Sequence, residues 1–338
     1  MLAGGVGSRF WPVSTRTRPK QLLPLAGERP LIVDTVERAR ALVDDAHIRI
    51  LAGEHLVGPF HAALPDLPEA SYLVEPGARG TCPVLAWAAW EIARRDPRAV
   101  LVSLHADHLI RPLPAFQETV RAAVRLADEE NLLLTVGVRP DRVETGFGHI
   151  QPGDALPSSG AGRAFRVRAF HEKPDAATAR RYVAEGFLWN SGIFVWRAAT
   201  FLEEVERHAP EVAEHLPLLA TDGPDAFFRN VPVCVVDTAV MERSDRVGCV
   251  EASFEWDDVG SWEALARTRA ADAAGNVVVG DGTVVEGNGN IVFAEGGRVV
   301  LFGIDDAVVV QSGGRTLVLP RARAAELKSL LRALGETT

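Results

Sequence analysis

Cys82-Pro83-Val84-Leu85-Ala86-Trp87-Ala88-Ala89-Trp90-Glu91-Ile92-Ala93-Arg94-Arg95, followed shortly by Val100-Leu101-Val102-Ser103-Leu104, decides the fold class. In the first stretch Leu85, Ala88, Ala89, Ile92 and Ala93 make an apolar stripe at helical spacing. The second is an apolar run of buried-strand length. The same alternation extends outward. Ile48 to Ala52, Ser71 to Val74 and Leu132 to Val138 read as further strands, and Leu31 to Leu42 and Leu113 to Glu129 as further helices. Strands alternating with helices predict an α/β fold: a mostly parallel, mixed sheet with helices on both faces. Ligands of such sheets sit at the carboxyl ends of strands, so motifs that directly follow strands carry the most weight.

After Arg269 the pattern changes. Asn276 to Val279, Thr283 to Glu286, Asn290 to Ala294, Arg298 to Gly303, Ala307 to Gln311 and Arg315 to Leu319 read as short strands punctuated by Gly, Asn and Asp. A final helix is expected over Arg321 to Leu334, with Leu327, Leu330, Leu331 and Leu334 on one face. The expected division is therefore residues 1–269 as one domain and 270–338 as a small β-rich domain, with hints of a few β-solenoid coils of irregular period.

The chain has 338 residues and a net charge of −9, which weighs against general nucleic-acid binding. Its apolar runs are strand-sized, so no membrane span is expected. No secretory signal is visible. Cys82, Cys234 and Cys249 are far apart and form neither a metal spacing nor a disulfide framework, which points to a reducing cytoplasm. Lysine is scarce: Lys20, Lys173 and Lys328 stand against a background of arginine. Two of them adjoin proline, in Pro19-Lys20 and Lys173-Pro174. A lysine kept against that background suggests a site where a compact point charge is needed.

Gly4, Gly5 and Gly7 follow Met1-Leu2-Ala3, which look like the stub of a strand. Glycines this close let backbone N–H groups approach a polyphosphate, with Arg9 and Lys20 supplying charge. Neither G-x-x-x-x-G-K-S/T nor G-x-G-x-x-G is present, so two familiar phosphate loops are excluded. The glycines alone fit a tight turn equally well.

The whole stretch is more distinctive. Gly4-Gly5-Val6-Gly7-Ser8-Arg9-Phe10-Trp11-Pro12-Val13-Ser14 and Pro19-Lys20-Gln21 resemble the signature of nucleotide-diphospho-sugar pyrophosphorylases. The Trp-Pro and Pro-Lys-Gln details are most similar to the mannose-1-phosphate guanylyltransferase branch. The resemblance implies the Rossmann-like fold of nucleotide-diphospho-sugar transferases. It also implies that Leu2, Ala3, Gly4, Gly5 and Gly7 bind a nucleoside triphosphate, while Arg9 and Lys20 neutralise the departing pyrophosphate.

Further motifs follow in the order that family requires. Glu75-Pro76-Gly77-Ala78-Arg79-Gly80-Thr81-Cys82-Pro83 resembles an element that lies along the base, with Ala78 and Gly80 where the branch carries Gly and Asn. It implies base-side contacts from Glu75 and Arg79. Guanine presents adjacent N1–H and N2–H donors that one carboxylate accepts together, and a mismatched base leaves such groups unpaired. His105-Ala106-Asp107-His108 implies a nucleotide contact at Ala106 and a Mg2+ ligand at Asp107. Carboxylate oxygen suits that hard cation. The rival is a zinc site using His105 and His108. Glu144-Thr145-Gly146-Phe147-Gly148-His149-Ile150, Phe170-His171-Glu172-Lys173-Pro174 and Trp189-Asn190-Ser191-Gly192-Ile193-Phe194 imply a sugar-phosphate site at Gly146, Glu172, Lys173, Asn190 and Gly192. Trp256-Asp257-Asp258-Val259-Gly260-Ser261-Trp262 implies a second metal ligand at Asp258, with Asp257 the close rival. Asp237-Thr238-Ala239-Val240-Met241-Glu242-Arg243 reads as scaffolding near the sugar pocket.

The reaction implied is GTP plus mannose 1-phosphate giving GDP-mannose and pyrophosphate. Arg9, Lys20, Asp107, Lys173 and Asp258 would be its catalytic residues. The sugar phosphate is already a nucleophile at neutral pH, so no general base is needed; positioning and charge neutralisation carry the reaction. Another hexose or base, and a non-catalytic nucleotide-sugar sensor, are the alternatives. A bifunctional enzyme would need a further cupin-like domain. Expected partners are the two substrates, no nucleic acid, no membrane, and a second copy contacting the β-rich region. With only Leu2 and Ala3 ahead of Gly4, a short first strand is also expected.

Overall fold

The computed structural model describes residues 1–5, 7–157 and 162–335, so Val6 of the glycine loop and the end of the expected 270–338 domain lie outside it. The strands are β1 (Ile50–Gly53), β2 (Tyr72–Glu75), β3 (Val100–Ser103), β4 (Leu109–Arg111), β5 (Leu133–Val138), β6 (His149–Ala155) and β7 (Ala164–His171). They continue with β8 (Leu188–Arg197), β9 (Val247–Glu251), β10 (Glu255–Asp257), β11 (Val277–Val285), β12 (Ile291–Phe302), β13 (Ala307–Ser312) and β14 (Arg315–Pro320).

The main sheet has the order β3-β8-β5-β9-β7-β6. β1 and β2 form a parallel pair beside it. Leu2 connects the two, bridging in parallel to both Leu51 and His105. Its N–H donates to Leu104 O at 2.8 Å, and Ala106 N donates back to Leu2 O at 3.0 Å. Leu2 is thus bonded to both neighbouring segments.

Strands β2, β1, β3 and β5 run one way, as the alternation predicts, and β9, which the sequence did not show, runs with them. β8 runs against them and is inserted between β3 and β5, so both of its pairings there are antiparallel. β6 and β7 pair antiparallel as well. A parallel neighbour needs a long crossover, whereas an antiparallel return does not, and no helix separates β6 from β7.

Helices cover both faces: α1 (Leu31–Arg40), α2 (Glu54–Ala63), α3 (Thr81–Ala93), α4 (Leu113–Glu129), α5 (Ala176–Ala184) and α6 (Ala198–His208). Alternation along β5 explains how. Leu133 joins the core built with α3 and α6, while Leu134 packs with Ala122, Ala123 and Leu126 of α4. β8 behaves alike, with Phe194 and Trp196 toward α3 and α6, and Val195 toward α4. α2 gives a weak sequence signal because Gly58 and Pro59 interrupt it. α5 follows Lys173-Pro174, and its Asp175 cap accepts from Thr178 N at 2.8 Å.

β11, β12 and β13 stack in parallel, Val277 beside Ile291 and Ile291 beside Val308, and β14 returns antiparallel. The coils turn on an asparagine ladder. Asn290 N and Nδ2 donate to Asn276 Oδ1 at 2.9 and 3.0 Å, and Asn290 Oδ1 accepts from Ala307 N at 3.0 Å. These steps span 14 and 17 residues, which is why the sequence period is irregular. Pairs of expected strands merge: β11 runs through a bulge between Gly280 and Gly282, and β12 is continuous to Phe302. The final segment opens as a tight 3-10 turn, Arg321–Glu326, before the helix Leu327–Leu334. Val277, Ile291, Phe293, Val308, Val310 and Leu317 share one apolar core with Phe10, Val13, Leu23, Leu25 and Trp262. The β-rich region therefore supports the segments that flank the glycine loop.

Candidate active site

The glycine loop leaves the Leu2 bridge at the carboxyl ends of β1 and β3. Gln21 Nε2 reaches the carbonyls of Ala3, Gly4 and Gly5 at 3.4, 3.0 and 3.3 Å. Across a trans peptide the following N–H points the opposite way. The amides of Gly4 and Gly5 are thereby aimed away from Gln21, as an anion cradle requires. Gly7 has φ of 71°, and a Cβ there would stand 2.4 Å from Lys20 Cβ. Only glycine lets the loop fold onto the lysine backbone.

Lys20 is 8% exposed. Its Nζ lies 2.9 Å from Asp107 Oδ2 and donates to the carbonyl of Asp258. Burial alone would raise the Asp107 carboxyl, but Lys20, His108 and His105 together hold it down to about 2. Burial raises Asp258, against the pull of Lys20. Arg9 Nη1 donates to Gly260 O at 3.2 Å, on the same Asp258–Gly260 turn.

His105, Asp107 and His108 have ligand atoms within 4.8 Å of one another. Trp256 Nε1–H donates to His108 Nδ1 at 3.1 Å. The neutral ring then carries its proton on Nε2, the nitrogen nearer Asp107, so it is a donor there and not a ligand. The Asp107 carboxylate and the Asp258 backbone carbonyl meet the one buried ammonium, so the groups gathered there are oxygens, which suit a hard divalent cation better than zinc. Asp257 is engaged elsewhere. It pairs with Arg267 at 2.7 and 3.1 Å and accepts from Val259 N at 2.7 Å, leaving Asp258 beside Lys20.

The second cluster lies one strand over. His105 stands where a Cβ on Gly192 would be, 2.7 Å from its Nε2, so the segment that carries Asp107 touches β8 at Gly192 through His105. Asn190 Oδ1 accepts from Thr135 Oγ1 at 2.8 Å, and its Nδ2 donates to Asp237 Oδ1 at 2.9 Å. Asn190 N donates to Gly148 O at 2.8 Å, and Glu172 Oε2 lies 2.8 Å from the Cβ position of Gly148. Glu172 pairs with Lys173, whose side chain is 60% exposed and whose φ is 47°. A loop of Gly146 and Thr145, both donating to Glu144 Oε1, closes this side.

A family model described as nucleotidyl transferase matches residues 1–275. The chain belongs to the nucleotidyl transferase family. The mannose-1-phosphate guanylyltransferase of Klebsiella pneumoniae is 34% identical over 99% of this chain and 73% of its own length. The alginate biosynthesis protein AlgA of Pseudomonas aeruginosa is 34% identical over 99% of the chain and 71% of its own. A crystal structure of a Thermus thermophilus protein, described as a mannose-1-phosphate geranyltransferase, superposes with a TM-score of 0.90 at 33% identity, covering 99% of this chain and 98% of that one. A glucose-1-phosphate thymidylyltransferase from Bacillus anthracis shares the fold, with a TM-score of 0.51 at 19% identity and 79% of this chain covered.

In this nucleotidyl transferase the residues singled out from sequence fall into three places. Leu2, Ala3, Gly4, Gly5, Gly7, Arg9, Lys20, Ala106, Asp107 and Asp258 meet around the glycine loop. Gly146, Glu172, Lys173, Asn190 and Gly192 gather on the β6–β8 side. Glu75 ends β2 opposite Gly53 of β1, its carboxyl pushed up to about 7 by burial. Arg79 is tied down, its Nε donating to Phe228 O at 2.6 Å. Its guanidinium braces the 223–230 helix, and a base contact there would need it to release that bond. Gln21 and Asp237 carry contacts that sequence did not assign to them. Both stood inside quoted motifs, and only the fold shows what their side chains reach. No helix among the described residues is long and apolar enough to cross a membrane.

Proposed function

We propose that this nucleotidyl transferase moves GMP from GTP to α-D-mannose 1-phosphate, giving GDP-mannose and pyrophosphate. The observation that carries this is the junction at Lys20: one buried ammonium joins the glycine loop, Asp107 and the Asp258 turn, and His105, two residues before Asp107, packs against Gly192 on the strand that carries Asn190. The similarity to mannose-1-phosphate guanylyltransferases favours mannose and guanine, and a carboxylate such as Glu75 can accept both adjacent guanine donors.

The glycine-loop amides hold the triphosphate, and Arg9 and Lys20 face its departing pyrophosphate end. Lys173, on an exposed turn, steers the sugar phosphate so that its oxygen attacks the α-phosphorus in line. Glu172 and Asn190 orient the hexose. Asp107 and Asp258 would hold Mg2+, which when bound neutralises phosphate charge between two anionic substrates. Proton transfer is not required, because the attacking phosphate is already ionised.

Pairing of two copies through the β-rich region and a cytoplasmic location belong to the same proposal. Val300, Phe302 and Val318 are exposed there at 58%, 68% and 65%. The deciding experiment incubates the protein and Mg2+ with each triphosphate in turn and either mannose or glucose 1-phosphate, and measures pyrophosphate. GTP with mannose 1-phosphate should dominate. Equal or faster release with UTP, dTTP or glucose 1-phosphate would overturn the assignment.

A further inference from the structure

We propose that Asp237 is a sugar-binding residue: it fixes the amide of Asn190 and presents its other carboxylate oxygen, beside Glu172, to a hydroxyl of the hexose. This rests on the sugar-phosphate assignment above and adds a specificity residue to it.

Hydrogen-bond capacity at Asn190 leads to the point. An amide oxygen accepts through two lone pairs, and its nitrogen donates twice. Asn190 Oδ1 already accepts from Thr135 Oγ1 at 2.8 Å and from Gly192 N at 3.2 Å. One Nδ2–H is spent on Asp237 Oδ1 at 2.9 Å. What Asn190 has left is a single donor. A hexose hydroxyl also gives away its own proton, and the carboxylates of this cluster are the strongest acceptors for it.

Glu172 is one such acceptor, but its Oε1 is paired with Lys173. Asp237 is the next carboxyl. Burial, with the charge of Glu172 second, pushes it up to about 6. Lys173 and the Asn190 amide offset part of this crowding, and a hydroxyl donor from a ligand would offset more.

The backbone is specialised at the same place. Asp237–Met241 forms a π-helical turn, a rare geometry concentrated at functional sites. One residue beyond it, Glu242 Oε1 accepts from Glu172 N at 2.8 Å, holding the turn on which Lys173 adopts its left-handed φ. A single turn thus braces both halves of the sugar cluster, Asn190 through Asp237 and Glu172 through Glu242.

The test compares Asp237→Asn with Asp237→Ala in the full-length, Mg2+-loaded protein. Asparagine can still accept from Asn190 but replaces the second oxygen with a donor. Asp237→Asn should raise KM for mannose 1-phosphate by about tenfold or more, the loss expected for one charge-assisted hydroxyl bond, with KM for GTP within about twofold and an unchanged thermal midpoint. Among 2-, 3- and 4-deoxy mannose 1-phosphates, one should bind the wild type poorly and lose that handicap in Asp237→Asn. Wild-type behaviour of Asp237→Asn, even with a weakened Asp237→Ala, would reduce Asp237 to a prop for Asn190 and overturn the proposal. So would an equal rise in both KM values. Calorimetric titration with mannose 1-phosphate needs no turnover, so a wild type that binds the sugar phosphate yet forms no GDP-mannose would sink the reaction assigned above and still report on Asp237.

Discussion

Glu75 is where the chemistry of one side chain makes the sharpest claim. Its carboxyl is pushed up to about 7 because burial penalises the charge. If it accepts the two guanine donors, the bound form is the carboxylate, so GTP binding must expel a proton below that pH. KM for GTP should therefore climb about tenfold for each pH unit below 7 and flatten above it. The sign for stability is opposite: a raised carboxyl pKa favours the fold at low pH, and that contribution is lost as pH rises from 4.5 to about 7. Steady-state kinetics between pH 5.5 and 8.5 would show the first effect, with Glu75→Gln as the control whose profile loses the slope. A wild-type profile parallel to that of Glu75→Gln would remove Glu75 from base recognition.

At the scale of elements, the entry to α3 is built on a close approach. Gly80 has φ of 83°, and a Cβ there would stand 2.3 Å from Cys234 O, the carbonyl that accepts from Cys82 N at 3.1 Å. Gly80→Ala should cost about 2 kcal/mol or more, since both the backbone conformation and the contact resist it. Gly77, with open space around its Cβ position, is the matched control, and Gly77→Ala should stay within about 0.5 kcal/mol in urea unfolding. This element also shows what sequence makes legible. Its place after β2 and before α3 was readable from the residues, as were the bounds of α4 and most of β5, whose apolar patterns are strong. The insertion of β8 between β3 and β5 was not readable, because sheet order is chosen by packing between distant segments. Nor could spacing separate Asp257 from Asp258. That distinction depends on Arg267, ten residues on, which takes up the first carboxylate.

For the whole molecule, the β-rich region and the glycine loop are one mechanical unit. The segments that flank the loop share an apolar core with that region, and the segment between Ser14 and Lys20 is pinned to β12 by a two-pronged ion pair. Arg18 Nη1 and Nη2 meet Glu295 at 2.6 and 2.7 Å, and Ser312 Oγ adds a third bond to the same carboxylate at 2.7 Å. Both side chains are about two-fifths exposed, at 38% and 39%, so water screens the pair and breaking it should cost under about 1 kcal/mol of stability. Its effect should appear in function instead. Two residues after Arg18 comes Lys20, whose ammonium must stay between Asp107 and the Asp258 turn. Arg18→Ala and Glu295→Ala should each raise KM for GTP several-fold while leaving KM for mannose 1-phosphate nearly unchanged. If the pair acts as one tether, the double variant should be no worse than the weaker single one. Additive losses would mean that the two residues act separately. An unchanged KM for GTP in both would show that the core alone holds the loop in place.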